Sequence, residues 1–392
     1  MKKILVVILF CFLSFLLLFY KIGTVPPGIN GDEVGIGHNA YLISKNLTDE
    51  NNNFLPLFVF AKDSDWKQPV TVYTTALIFR IFGPSLPALR ATSILFVLAS
   101  IVIFYFLAKE TFNFKFFIVG TLILLTVPII MIQSHLALEN IAVLPFIFFW
   151  LLMLARYEGL KKPVYLFLGG VALGVSVYSY LGMRLIIPVL SLITLIHFRR
   201  NLKKSIHFLL GVLPFFALLY VANFYYPGAV VGHYNAPFPS INEFLLRYLS
   251  VFDISFLFLK GDITSYHSTG KAGMFLIASL PIFIIGIGKI LKEKKPFEML
   301  ILWSFFLSPI LFGLVPEIYR ASRLLALIPF YTIISTIGFF AVPKKIGIVI
   351  LILMAANYLF FARDYWYDYS TRVKGRFPLT IEHYNEDFTK KQ

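Results

Sequence analysis

Apolar runs of bilayer-spanning length recur along this chain, and they constrain its fold more than any other feature. Eleven are present, at residues 4–20, 86–108, 116–132, 141–154, 164–180, 185–197, 206–225, 274–290, 299–314, 324–342 and 346–361. Such lengths suit membrane-crossing helices and exceed what sheet strands use. Composition agrees, since 58% of residues are hydrophobic and 14% charged, where a soluble domain carries about a quarter charged residues. The expected fold class is all-α integral membrane, a polytopic bundle of about eleven transmembrane helices. Residues 1–362 read as one transmembrane domain and 363–392 as a short tail, with no repeat and no separate soluble domain. Lys2 and Lys3 before the first run resemble the start of a signal peptide. No small-residue cleavage pattern follows, so the run reads as an uncleaved first helix.

The net charge of +15 is distributed in a way that argues against nucleic acid as a partner, because Lys and Arg cluster between apolar runs rather than along one face. Short cytoplasmic loops are enriched in these residues. With Lys2 and Lys3 inside, alternation places the clusters at 109–115, 156–162, 199–204, 289–295 and 344–345 inside as well. The outer side then receives 21–86, 135–140, 179–184, 226–271, 316–323 and the tail from Arg363. One missed span would break this pattern. The expectation is a multi-pass protein of the cell membrane, solvated by its lipids, with its chemistry on the outer face. The single cysteine, Cys11, excludes an intramolecular disulfide and a multi-cysteine metal site.

Two outer segments are long. The first, 21–86, carries two stretches with helical spacing, 34–45 and 70–82, expected to lie as helices at the membrane surface. The second, 226–271, is rich in aromatic and turn residues and is expected to cover the same face. The sharpest local feature is Pro26-Pro27-Gly28-Ile29-Asn30-Gly31-Asp32-Glu33. Adjacent carboxylates at a lipid boundary are costly unless solvated or used. A structural reading makes Asp32 the cap of a helix starting near Val34, with Glu33 favoured in its first turn by the helix dipole. A capped carboxylate at a rigid helix start is also well placed as a base.

This Asp-Glu pair resembles the signature of the protein O-mannosyltransferase and aminoarabinose-transferase type among the GT-C glycosyltransferases. Further segments resemble the family in order: Gly37-His38-Asn39-Ala40-Tyr41, Lys67-Gln68-Pro69-Val70-Thr71-Val72-Tyr73, Ala88-Leu89-Arg90, the stretch from Tyr178 through Tyr180 to Arg184, and Arg320-Ala321-Ser322-Arg323-Leu324. Gln68 stands where the family's Lys-Pro-Pro pattern has its first proline. The resemblance implies inverting, metal-independent transfer without a cofactor, from a polyprenyl-phosphate-linked sugar to a glycan, lipid or protein acceptor. It assigns the base to Asp32, with Glu33 orienting it or binding hydroxyls.

A departing lipid phosphate needs fixed cations in a sheltered site. Lys67, Arg90, Arg184, Arg320 and Arg323 fall on or near the outer side and are the donor-phosphate candidates, with His38, Tyr73, Glu139 and Tyr180 as further substrate candidates. Structural roles compete for several of them. Arg90 and Arg184 suit snorkelling at span ends, Lys67 follows Asp63 and Asp65, and Glu317 precedes Arg320 by one turn. His135 and Glu139, four apart, suggest one helical face, but no third metal ligand accompanies them. His233, Asp262 and His267 in the second long segment read as solvated loop residues, with contact to substrate as the alternative. The competing function is a transporter or flippase of lipid-linked sugars, for which related halves and mid-membrane polar residues would be expected. Neither is evident.

Overall fold

The computed structural model describes residues 2–61, 65–199, 202–232 and 237–377, so Asp63, His233 and the end of the tail lie outside the described residues. The chain runs α1 (Lys2–Phe19), α2 (Gly31–Asn46), a short hairpin of β1 (Val59–Phe60) and β2 (Trp66–Lys67), α3 (Pro69–Phe82), α4 (Leu86–Thr111), α5 (Phe114–Leu125) and α6 (Pro128–Ser134). It continues through α7 (Val143–Leu160), α8 (Pro163–Ser176), α9 (Met183–His197), α10 (Leu202–Tyr225), α11 (Pro227–Val231) and α12 (Ile241–Ser250). The last elements are α13 (Leu280–Glu293), α14 (Pro296–Leu307), α15 (Ile328–Ala341), α16 (Lys344–Arg363) and α17 (Ser370–Val373).

Each of the eleven apolar runs contains a helix. Among the described residues six helical stretches are long and apolar enough to cross a membrane alone, built on α4, α7, α10, α14, α15 and α16. A bend of 67° separates α5 from α6, which are long and apolar enough only when taken together. Its cause is local, since Pro128 opens α6 and holds Val127 extended, and it has no N–H to continue the α5 ladder. The runs at α1, α8 and α9 form shorter apolar helices, and α13 is lengthened by a 3₁₀ turn at Ile277–Ser279. The two surface helices expected in the first long segment are α2 and α3, which pack on each other around Ile36, Ala40, Val72 and Phe79.

The start of α2 differs from the expectation. The helix begins three residues before Val34, and Asn30, not Asp32, is its N-cap. Asn30 is extended, its side chain accepts from the Asp32 N–H at 2.9 Å, and the Glu33 carboxylate accepts from the Asn30 N–H at 3.1 Å. That reciprocal box satisfies the orphan donors of the first turn and releases Asp32 from capping.

Inside the bundle, α4 packs on α7, α7 on α8, α8 on α10 and α13 on α15. The basic clusters gather at one end of it. Arg156 on α7 pairs with Glu110 on α4 at 3.3 Å, Lys204 lies over the rings of Tyr157 and Phe198, and His197 and Lys294 border one groove. Lys3 lies over Phe114, and Phe340 stacks on Phe116. Clusters separated by pairs of spans thus meet, as an alternating multi-pass chain requires.

Candidate active site

At the end away from those clusters, five segments that connect the apolar runs converge on a cleft of about 330 Å³. Asp32 and Ile36 come from α2, Asp65 to Gln68 from the hairpin, and Leu138 to Asn140 from the turn before α7. Tyr180 and Leu181 precede α9, Gly228 and Ala229 lie on α11 with Gly232 just after it, and His267 with Glu317, Arg320, Ser322 and Arg323 completes the wall.

The neighbouring carboxylates Asp32 and Glu33 take opposite directions, because successive positions of a helix point about 100° apart. The Asp32 side chain is 53% exposed, and its Oδ1 accepts from Lys67 Nζ at 2.5 Å, with Lys67 itself buried. Glu33 is fully buried behind it against Arg90, with Arg90 Nε to Glu33 Oε1 at 2.9 Å and Nη2 to Oε2 at 3.2 Å. Glu33 Oε1 also accepts from the Ala137 N–H at 3.0 Å. Arg90 was expected among the phosphate-binding cations. Its remaining donors instead meet the carbonyls of Ile22, Pro26 and Gly28, so each of the five guanidinium N–H groups has an acceptor and none faces the cleft. The pair locks the entry to α2 onto α4.

Glu139 reaches the cleft floor, where its Oε1 accepts from the Gln68 N–H at 2.5 Å. The Gln68 side-chain Oε1 accepts from Arg184 Nη2 at 2.7 Å, and Arg184 Nη1 donates to the backbone carbonyls of Ala229 and Val230 at 2.5 and 2.6 Å. Arg184 therefore stands behind the lining and ties α9, α11 and the hairpin together. Arg320 and Arg323 are in the lining, and Glu317 bridges them, 3.2 Å from Arg320 Nη2 and hydrogen-bonded to Arg323 Nη2. Tyr180 lies beside Arg323, and burial pushes its hydroxyl up to about 12.

Residues 66–225 match the family model described as dolichyl-phosphate-mannose-protein mannosyltransferase. ArnT from Cupriavidus metallidurans bound to undecaprenyl phosphate matches with a TM-score of 0.64 and 15% identity, over 89% of this chain and 63% of that one. Archaeal oligosaccharyltransferase AglB from Archaeoglobus fulgidus, in complex with an inhibitory peptide and a dolichol-phosphate, matches with a TM-score of 0.53 and 11% identity, over 97% of this chain and 56% of that one. The chain has the GT-C fold. It spans less than two thirds of either structure's length. No curated protein matches it by sequence.

Within this GT-C bundle the cleft brings together Asp32, Lys67, Glu139, Tyr180, Arg320 and Arg323. It does not include His38, half-buried on α2, or Tyr73, whose hydroxyl donates to the Pro56 carbonyl at 2.8 Å. His135 and Glu139 do not share a face. The His135 ring nitrogens lie 2.9 Å from the carbonyls of Val25 and Leu18, pinning the end of α1, while Glu139 turns to Gln68. No group of three His, Cys, Asp or Glu among the described residues is placed to hold a metal ion.

His267, read as a solvated loop residue or a substrate contact, lines the cleft, its Nδ1 2.7 Å from Gln133 Nε2 on α6. Burial lowers its imidazole below the ordinary value. Asp262 is buried too and accepts from the N–H groups of Thr264 and Ser322, which joins the second long segment to the Arg320 turn. Neither contact leaves a local pattern, since the partners are 134 and 60 residues apart.

Proposed function

We propose that the protein is an inverting glycosyltransferase that moves a sugar from a polyprenyl-phosphate donor to a hydroxyl-bearing acceptor at the outer face of the membrane. The observation that carries this reading is the half-exposed Asp32 carboxylate, held 2.5 Å from Lys67 in the same cleft as Arg320 and Arg323. The chemistry needs a base and an anion site within one bound substrate's reach, and this cleft offers both. Asp32 takes the acceptor proton as the acceptor oxygen attacks the anomeric carbon. The bond to the lipid phosphate breaks on the opposite face of the sugar, and the departing negative charge falls on Lys67, Arg320 and Arg323. Tyr180 and Glu139 are placed to hold sugar hydroxyls. Glu33 and Arg90 act by fixing the backbone that carries Asp32.

The carriers in the ArnT and AglB structures, undecaprenyl phosphate and dolichol-phosphate, support a lipid-phosphate donor. The outer-face assignment follows from the basic clusters gathering at the end away from the cleft. Purified protein in lipid nanodiscs, given polyprenyl-phosphate sugars in one arm and nucleotide sugars in the other, tests the donor class by mass spectrometry of the products. Transfer is expected only in the first arm, and direct use of a nucleotide sugar sinks the proposal. Comparing envelope glycans, lipids and glycoproteins from cells with and without the active protein identifies the acceptor.

A further inference from the structure

Glu317 sits where an anion is wanted. It belongs to the turn between the α14 and α15 spans, lines the cleft, and its side chain is 48% exposed. Its two carboxylate oxygens are divided between two arginines, Oε1 to Arg320 and Oε2 to Arg323. Two planar oxygens bridging two guanidinium groups is the arrangement a phosphate also adopts. The arginines are not saturated by it, since Arg320 Nε and Arg323 Nη1 are buried and have no hydrogen-bond partner among the described residues. A phosphate, with more oxygens and more charge than a carboxylate, reaches donors that Glu317 leaves unmet. Partial burial opposes ionisation of Glu317, but Arg323 and Arg320 together hold its carboxyl below the usual range, so it occupies the arginines as an anion at neutral pH.

We infer that Glu317 is an internal stand-in for the donor phosphate, occupying Arg320 and Arg323 in the resting enzyme and yielding them when the lipid phosphate binds. This rests on the donor reading above and adds an exchange step to it. The carboxylate spares the cleft two unpaired cations between turnovers. It also competes with the spent polyprenyl phosphate, and so favours product release. Its exposure and its place on a turn allow it to swing to solvent without unpacking a helix.

The test measures binding of a short-chain polyprenyl phosphate, with inorganic phosphate as competitor, to full-length protein in nanodiscs, alongside steady-state kinetics. Glu317→Gln keeps the shape and removes the competing charge. It should tighten polyprenyl-phosphate binding about fivefold, the worth of a partly exposed ion pair, and strengthen product inhibition by the same factor. Glu317→Asp should stay near wild type, and Arg323→Gln should weaken binding. Inorganic phosphate should compete poorly with the lipid in every variant, and equal competition would overturn the lipid-phosphate assignment. Unchanged or weaker binding in a folded Glu317→Gln protein makes Glu317 a structural clamp and overturns the inference, and Glu317→Ala serves if the glutamine variant does not fold. Absence of polyprenyl-phosphate binding by the wild type overturns the donor reading itself, which separates the two failures.

Discussion

The carboxylates at positions 32 and 33 differ in surroundings, and their substitutions should differ in kind. Asp32 is 53% exposed and does not cap α2, since Asn30 does. Asp32→Asn should therefore leave thermal stability nearly unchanged while lowering turnover by about 100-fold or more, the worth of a general base. Donor binding, measured separately, should persist because Lys67 and the arginines remain. A folded Asp32→Asn enzyme running at wild-type rate would remove the base assignment. Glu33 is buried against Arg90, so Glu33→Gln should act on stability first. Leaving a buried guanidinium without its counter-charge costs about 3 to 5 kcal/mol. A large fall in the thermal midpoint in detergent is expected for Glu33→Gln and for Arg90→Met. Unaltered midpoints would show that the pair does not hold the α2 entry.

Among the elements, the closest approaches are made by glycine. A Cβ at Gly338 on α15 would lie 1.8 Å from the Ile282 carbonyl oxygen on α13, and one at Gly286 would lie 2.0 Å from the Ile334 carbonyl oxygen. These helices touch backbone to backbone, which small residues permit in a membrane. Gly338→Ala should force them apart and destabilise the bundle by about 1 to 3 kcal/mol, the usual scale for overpacking. Gly288 on α13 meets nothing within 4 Å, so Gly288→Ala should be near neutral. Equal unfolding midpoints for the two variants would contradict the crossing. The hairpin gives a second contrast. Gln68 is extended, with φ −80° and ψ 141°, so proline fits its backbone. Gln68→Pro removes the N–H held by Glu139 and the acceptor of Arg184, whereas Gln68→Ala removes only the latter. Catalytic efficiency should fall about tenfold further for proline than for alanine, as loss of a hydrogen bond to a charged group predicts. Equal effects would mean that the Glu139 contact does not matter.

For the whole molecule the governing claim is sidedness. The cleft lies at one end of the bundle, and the basic clusters meet at the other. On a Cys11→Ala background, a cysteine at exposed Asn52 should react with an impermeant reagent from outside intact cells. A cysteine at exposed Lys294 should react only after permeabilisation. The reverse labelling would overturn the topology and the outer-face site together.

What the sequence by itself determined is what periodicity and charge encode locally: the apolar runs, the basic clusters between them, the two helices of the first long segment, and the short motifs that carry Asp32, Lys67 and the Arg320–Arg323 turn. Lipid enforces these, because a spanning segment must satisfy its own backbone and keep its cations at the interface. Only the tertiary structure decided which charged groups face the cleft. Asp32 and Glu33 are adjacent, yet a shift of three residues in the start of α2 moved the cap to Asn30 and turned Glu33 inward. Arg90 and Arg184 read as phosphate-binding or snorkelling cations, and are spent on carboxylate, carbonyl and amide oxygens far along the chain. Nothing along the chain ties His267 to Gln133, which lies beyond a bend made at Pro128. Hydrogen-bond partners across such separations are selected by packing geometry, and spacing along the chain does not record them.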